Sequence, residues 1–167
     1  MKKTLSDSIF AMPSEAGMKW ESALLRLLSA PRTRRDLAVR LRDKGCPEET
    51  AQPLLDRFET LGLIDDKAYA VLFVDSKRDW GVLRIRDELR ARGVSREHIA
   101  DALEECEVDE AGRALRLARQ WNGVKGMTPQ KLDGRLRRRG FSSASIREAF
   151  ENLRLELEDE DPEESFF

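Results

Sequence analysis

The side chains in this sequence most able to act on another molecule are its arginines, and their spacing is regular. Leu41-Arg42-Asp43-Lys44-Gly45, Leu89-Arg90-Ala91-Arg92-Gly93 and Leu136-Arg137-Arg138-Arg139-Gly140 repeat one phrase, with glycines 48 and 47 residues apart. Further cations precede each copy: Arg34 and Arg35, then Arg84 and Arg86, then Arg135. Guanidinium groups grip carboxylates and phosphates in a planar fork, and they act by binding. Sets able to make or break bonds are missing. His98, the single histidine, follows Glu97 with no second ligand or nucleophile nearby, so a surface role is expected. Cys46 and Cys106 have no Cys or His cluster around them and read as small core residues. There is no glycine-rich phosphate loop. The expectation is a protein that recognises acidic surface, with no catalytic, cofactor-binding or metal-binding residues.

The elements that position these cations are helices. Eight residues before each glycine stands Leu37, Ile85 or Leu132, and four later Leu41, Leu89 or Leu136. That i, i+4 pair lays one apolar stripe on a helix. The glycine suits the left-handed stop, and the apolar residue after it (Cys46, Val94, Phe141) can fold back on the last turn. Pro47, Ser95 and Ser142 then start a second helix, with Ala51 and Leu55, Ile99 and Leu103, Ile146 and Phe150 as its stripe. A further helix opens each unit. The spacing predicts Trp20 to Leu28 on Leu24, Leu27 and Leu28. It predicts Asp66 to Trp80 on Tyr69, Leu72, Phe73 and Ser76, and Asp109 to Trp121 on Ala111, Leu115 and Ala118.

The fold class is therefore all-α: an elongated array of three tandem three-helix repeats, since a repeat of this period marks stacked units that share a core. The divisions are a flexible lead-in over 1–17, repeats over 18–62, 63–107 and 108–155, and an acidic tail over 156–167. Seven carboxylates between Glu156 and Glu164 and Pro162 mark that tail as disordered. No apolar run suggests a signal peptide or membrane span, and reduced cytoplasm suits the two cysteines.

Charge is sorted by helix type. The net charge is −2, but the segments Arg32–Lys44, Lys77–Arg92 and Lys125–Arg139 carry +4, +3 and +5. The helices after the first two glycines carry −3 each. Last-turn cations answer the helix dipole by about 0.3–1 kcal/mol, which leaves Arg34, Arg35, Arg84, Arg86 and Arg135 to be explained. These lie off the apolar stripe and are expected in solvent, as a basic face for an acidic partner. Helix-turn-helix readers insert their last helix in the major groove. Here those helices are acidic, so weak contact of the middle helices with a DNA backbone is the more that phosphate would permit.

The phrases Leu61-Gly62-Leu63-Ile64-Asp65-Asp66, with Tyr69-Ala70, Phe73-Val74 and Ser76-Lys77, and Gly81-Val82-Leu83-Arg84-Ile85-Arg86-Asp87-Glu88-Leu89 through Arg92-Gly93-Val94, resemble the regulatory protein RecX family. Leu136 to Phe141, with Ile146 and Ala149, resembles its third repeat. The likeness covers about Trp20 to Arg154. It implies a cytoplasmic, non-enzymatic regulator of the RecA recombinase, acting in homologous recombination, DNA repair and the SOS response. Such a protein lies in the groove of the RecA–DNA filament and restrains ATP hydrolysis and strand exchange. A monomer without cofactor or membrane contact is expected. The candidate partner-binding residues are Arg34, Arg35, Arg42, Arg84, Arg86, Arg90, Arg92, Arg135, Arg137, Arg138, Arg139 and Trp80. Trp80 reads either as an exposed anchor or as the cover of a joint between two helices. Tyr69 and Phe73 read as core, and Asp65 and Asp66 as helix caps. The alternative reading is a stand-alone nucleic-acid-binding module using the same basic helices. A further expectation is that the acidic tail folds over the basic faces and competes with the partner.

Overall fold

Each helix starts and stops where its local chemistry satisfies the backbone. In a computed structural model that describes residues 15–160, with side chains over 17–158, the order is α1 Glu15–Leu27, α2 Arg34–Asp43, α3 Glu48–Thr60, α4 Asp66–Ser76, α5 Val82–Ala91, α6 Arg96–Glu105, α7 Glu110–Trp121, α8 Pro129–Arg138 and α9 Ser143–Glu160. Thr33, Asp65, Ser95, Asp109 and Thr128 each accept a first-turn backbone N–H on the side-chain oxygen. The three middle helices α2, α5 and α8 end alike: Gly45, Gly93 and Gly140 take φ of 84°, 85° and 83°. The next residue then donates its N–H back to the leucine carbonyl five before it, Cys46 to Leu41, Val94 to Leu89 and Phe141 to Leu136, at 3.0, 3.1 and 3.2 Å.

The helices group in threes, each around its own apolar core. Leu24, Leu37, Leu41, Leu55 and Phe58 centre the first, Val74, Ile85, Leu89, Ile99 and Ala102 the second, and Ala114, Leu117, Leu136, Ile146 and Ala149 the third. Cys46 is buried and Cys106 half-buried, both as free thiols. His98 is half-buried on α6. Asp65 caps α4, accepting from the Ala68 N–H at 2.8 Å.

Several element expectations change. α1 begins at Glu15, inside the expected lead-in, of which residues 1–14 lie outside the described residues. α4 stops at Ser76 because Lys77 leaves helical geometry (φ −110°, ψ 51°), and Trp80 turns back onto Phe73 at 6.0 Å between ring centroids. Its buried stripe is Ala70, Phe73 and Val74; Leu72 is 58% exposed and Ser76 exposed. α7 buries Ala114, Leu117 and Ala118, so the stripe sits one turn-face away from Ala111 and Leu115. α9 continues to Glu160, five residues into the expected tail. Glu156 holds Arg119 of α7, and Glu158 holds Arg154 at 2.7 Å, so these carboxylates belong to a packed helix. Residues 161–167 of that tail lie outside the described residues.

Candidate interaction surface

The units are joined through the ends of their middle helices. Thr33, the N-cap of α2, donates its hydroxyl to the Arg92 carbonyl at the end of α5, at 2.8 Å. Gly81, the N-cap of α5, donates its N–H to the Arg139 carbonyl at the end of α8, at 2.8 Å, and Leu83 donates to the Gly140 carbonyl at 3.1 Å. The next free donor is handled alike at both joints. The Arg34 N–H reaches the Asp66 carboxylate at 2.8 Å, and the Val82 N–H reaches Glu110 at 2.7 Å. Asp66 and Glu110 are each the first residue of the following unit's opening helix. Glu110 also accepts from Ser142 and Ser145, which ties in the start of α9.

The result is a column of three helices end to end, α8 to α5 to α2, each about 15 Å long. Orphan donors at one helix start meet orphan acceptors at the previous helix end, and the macrodipoles run in series. Last-turn arginines beside a helix N-terminus would be unfavourable alone. Asp66 and Glu110 place a negative charge at each such junction. Asp66 lies above the usual aspartate range because burial penalises its charge, while the Arg34 N–H opposes that rise.

Along this column the candidate arginines divide by what they touch. Arg34 is a correction: expected in solvent, its side chain is 25% exposed and bonded to Asp56 and Glu59 of α3, at 2.6 and 2.8 Å. Those two carboxylates belong to an acidic helix of its own unit, and they draw the guanidinium down across α3. Arg92 is held by Glu88 at 2.5 Å, Arg137 by Asp133 at 2.7 Å and Arg90 by Asp87 at 3.3 Å. Arg139 sits over Trp121 and within 3.8 Å of Asp79, closing the joint between the second and third units. Arg42 is exposed and only loosely near Asp43.

The remaining candidate arginines form no ion pair among the described residues. Arg35, Arg86 and Arg138 are exposed with no ion pair among the described residues, while Arg84 lies over Trp80 at 3.9 Å and Arg135 over Trp121 at 5.5 Å. Trp80 therefore meets the Phe73 ring at 70° and offers a face to Arg84. Two grooves cross the joints. The first is lined by Arg32, Arg35, Asp36, Tyr69 and Arg92, and the second by Arg84, Asp87, Glu88, Arg137 and Arg138. The joint residues Thr33, Asp66, Gly81 and Glu110 escaped the sequence reading as partners of one another. Their recurrence at the same place in successive units was the signal that could have found them.

The described residues form a three-helix repeat array with guanidinium groups set at its joints. No group of His, Cys, Asp or Glu able to hold a metal occurs among the described residues. Among those residues no helix is long and apolar enough to cross a membrane. A family model described as RecX, second three-helix domain, matches residues 65–103. The regulatory protein RecX of Streptomyces coelicolor is 37% identical over 146 residues, covering 81% of this chain and 76% of its own length. That of Thermobifida fusca is 34% identical over 166 residues, covering 93% and 88%. A crystal structure of RecX from Lactobacillus salivarius superposes with a TM-score of 0.75 at 26% identity, over 90% of this chain and 99% of that one. The chain belongs to the regulatory protein RecX family.

Proposed function

We propose that this chain is a non-enzymatic regulator that lies along a RecA–DNA filament and restrains its ATP hydrolysis and strand exchange. The observation that carries the reading is the placement of Arg35, Arg84 and Arg138, with no ion pair among the described residues, in the two grooves that cross the joints. Cations repeated at the unit spacing along a column of helices suit a polymer whose acidic groups also repeat. Arg34, 25% exposed and bonded to two carboxylates, contributes to the chain's shape first, whereas exposed pairs such as Arg90 with Asp87 are worth only about 0–1 kcal/mol and leave those arginines open to a partner.

The test measures RecA filament ATPase with and without the chain, beside DNA binding by the chain alone. Inhibition is expected at substoichiometric amounts, and reversal to Glu at Arg35, Arg84, Arg86 and Arg138 is expected to abolish it while far-UV helicity persists. Inhibition retained by that variant removes the basic grooves from the mechanism. Tight DNA binding by the chain alone, with a steep salt slope and no effect on the filament, would favour the nucleic-acid module instead.

A further inference from the structure

One face of the middle helix changes sign between units. Aligned on Leu41, Leu89 and Leu136, four positions correspond: Asp36, Val39, Arg40 and Asp43 in α2, Arg84, Asp87, Glu88 and Ala91 in α5, and Lys131, Gly134, Arg135 and Arg138 in α8. Spacings of three and four put each set on one helix face. The set carries −1 in α2, −1 in α5 and +3 in α8. In the third unit that face lines a groove of about 390 Å³ together with Val124 and Lys125 of the α7–α8 loop. The Lys131 ammonium donates to the Gly126 carbonyl at 2.8 Å, which holds the loop to α8. The linings of the joint grooves include Asp36 in one and Asp87 and Glu88 in the other. Among the described residues this lining has four cations and no carboxylate. Lys125, Lys131, Arg135 and Arg138 form no ion pair among the described residues. Gly134 is a separate sign. A glycine inside a helix costs about 0.5–1 kcal/mol relative to alanine. Here its φ is not positive, and an added Cβ would meet only the end of the Arg138 side chain, Nη1 at 3.4 Å. Neither conformation nor packing asks for a glycine; its effect is to open the helix backbone to the groove, where α2 and α5 carry Val39 and Asp87.

We propose that this groove binds successive phosphate groups, supplied by a free polyphosphate or nucleotide or by a nucleic-acid strand. Lys131 and Arg138 stand about 10 Å apart along α8. An extended acidic peptide advances about 3.3 Å per residue and turns alternate side chains away, so over that length it offers about two carboxylates to four cations. A nucleic-acid strand carries one charge per about 3.4 Å of duplex axis and offers about three. A polyphosphate chain sets its charges closer still. The Arg135 and Arg138 guanidinium groups suit the paired oxygens of a phosphate, and Lys125 and Lys131 act as point charges beside them. The bare backbone at Gly134 lets a phosphate approach the helix closely. This site goes beyond the filament reading and stands without it. Arg138 is the one lining residue that it shares with the groove at the second joint.

The experiment titrates the ¹⁵N-labelled full chain at low salt with inorganic tripolyphosphate and, separately, with a single-stranded oligothymidylate. The Gly126 and Gly134 amide signals should move on addition of tripolyphosphate. Lys125→Glu/Lys131→Glu should weaken tripolyphosphate by roughly tenfold or more. For an oligothymidylate that binds, the same variant should make the slope of log affinity against log salt shallower by about 1.4, the loss of two phosphate contacts. Gly134→Asp installs the carboxylate that α5 carries at Asp87 and should weaken tripolyphosphate too, with far-UV helicity retained because the new side chain meets only the end of Arg138. Oligothymidylate that displaces tripolyphosphate supports a strand as the source of the phosphates, and tripolyphosphate that stays bound supports a free polyphosphate or nucleotide. Amide signals that stay still with both probes, or affinities unchanged in both variants, overturn the site. An oligoglutamate of equal charge that moves the same signals as strongly overturns the assignment to phosphate in favour of an acidic protein segment. These titrations need no filament, so their outcome is separate from that of the ATPase assay.

Discussion

The joint between the first and second units and the joint between the second and third share one plan but differ in closeness. At the first, a side chain intervenes: the Thr33 hydroxyl makes the bond, and the aliphatic part of Arg35 lies over Gly93. At the second, backbone meets backbone, with Gly81 against Gly140 and Phe141 and the Arg84 main chain against Gly140. A side-chain joint can yield by rotating a torsion, while a backbone joint can yield only by separating two helices. The lesson is that equivalent repeats need not be equally coupled, and the second and third units should behave as one body more than the first and second do.

The largest effects come from filling the space between units. Gly81 has an ordinary φ of −76°, but an added Cβ would lie inside the backbone of Gly140 and Phe141. Gly81→Ala should open the joint, costing about 3 kcal/mol or uncoupling the third unit altogether. Denaturant unfolding would show the loss, and faster amide exchange at Leu83 would place it.

The three motif glycines offer a graded series. All share a left-handed φ, so alanine carries a common strain of roughly 1–2 kcal/mol. At Gly140 the new Cβ meets Arg84 Cβ, backbone N at 2.5 Å and Cα at 2.9 Å; at Gly93 it meets the movable Arg35 Cδ at 2.6 Å and the fixed Arg35 Cβ at 2.7 Å, but no backbone atom; at Gly45 nothing lies within 4 Å. The expected order of destabilisation is Gly140→Ala, then Gly93→Ala, then Gly45→Ala, the last showing the conformational cost alone. Equal values in urea unfolding would mean that the joints contribute nothing measurable.

Thr33→Val should cost about 1–2 kcal/mol in the same assay. Thr33 is 1% exposed, and valine loses both the bond to the Arg92 carbonyl and the acceptor for the Asp36 N–H. Thr33→Ser keeps both and should recover most of the loss. A valine variant as stable as wild type would show that the first joint is held by packing of Arg35 rather than by the hydroxyl.

The middle helices were legible because their determinants are local. Leu37, Leu41, Ile85, Leu89, Leu132 and Leu136 recur at helical spacing, the glycines stop each helix, and all six side chains are buried. The opening helices were less legible. In α4 and α7 more than one i, i+4 stripe is available, and packing against α6 and α9 selects among them. The joints were not legible, since they consist of backbone groups and single residues with no period inside a unit. Nor was the fate of Arg34, whose partners Asp56 and Glu59 lie on another helix more than twenty positions away. Charge read along one helix describes a face only until the neighbouring helix supplies its carboxylates.

The smallest effect tests the carboxylate at the first joint by its pH dependence. Burial raises Asp66; the Arg34 N–H and charge and nearby His98 oppose the rise, while Glu59 adds to it. Between the ordinary aspartate value, about 4, and the raised folded value, the folded state holds more proton than the unfolded one. Stability attributable to this group therefore falls as pH rises through that interval and is flat above it. Asp66→Asn keeps an oxygen for the Arg34 N–H without the charge. The stability of wild type minus that of Asp66→Asn, followed from about pH 3 to about pH 7, should decline with pH. A difference that climbs instead would mean that the helix N-terminus stabilises the Asp66 charge by more than burial penalises it, and the junction would then owe its closure to electrostatics rather than to the hydrogen bond alone.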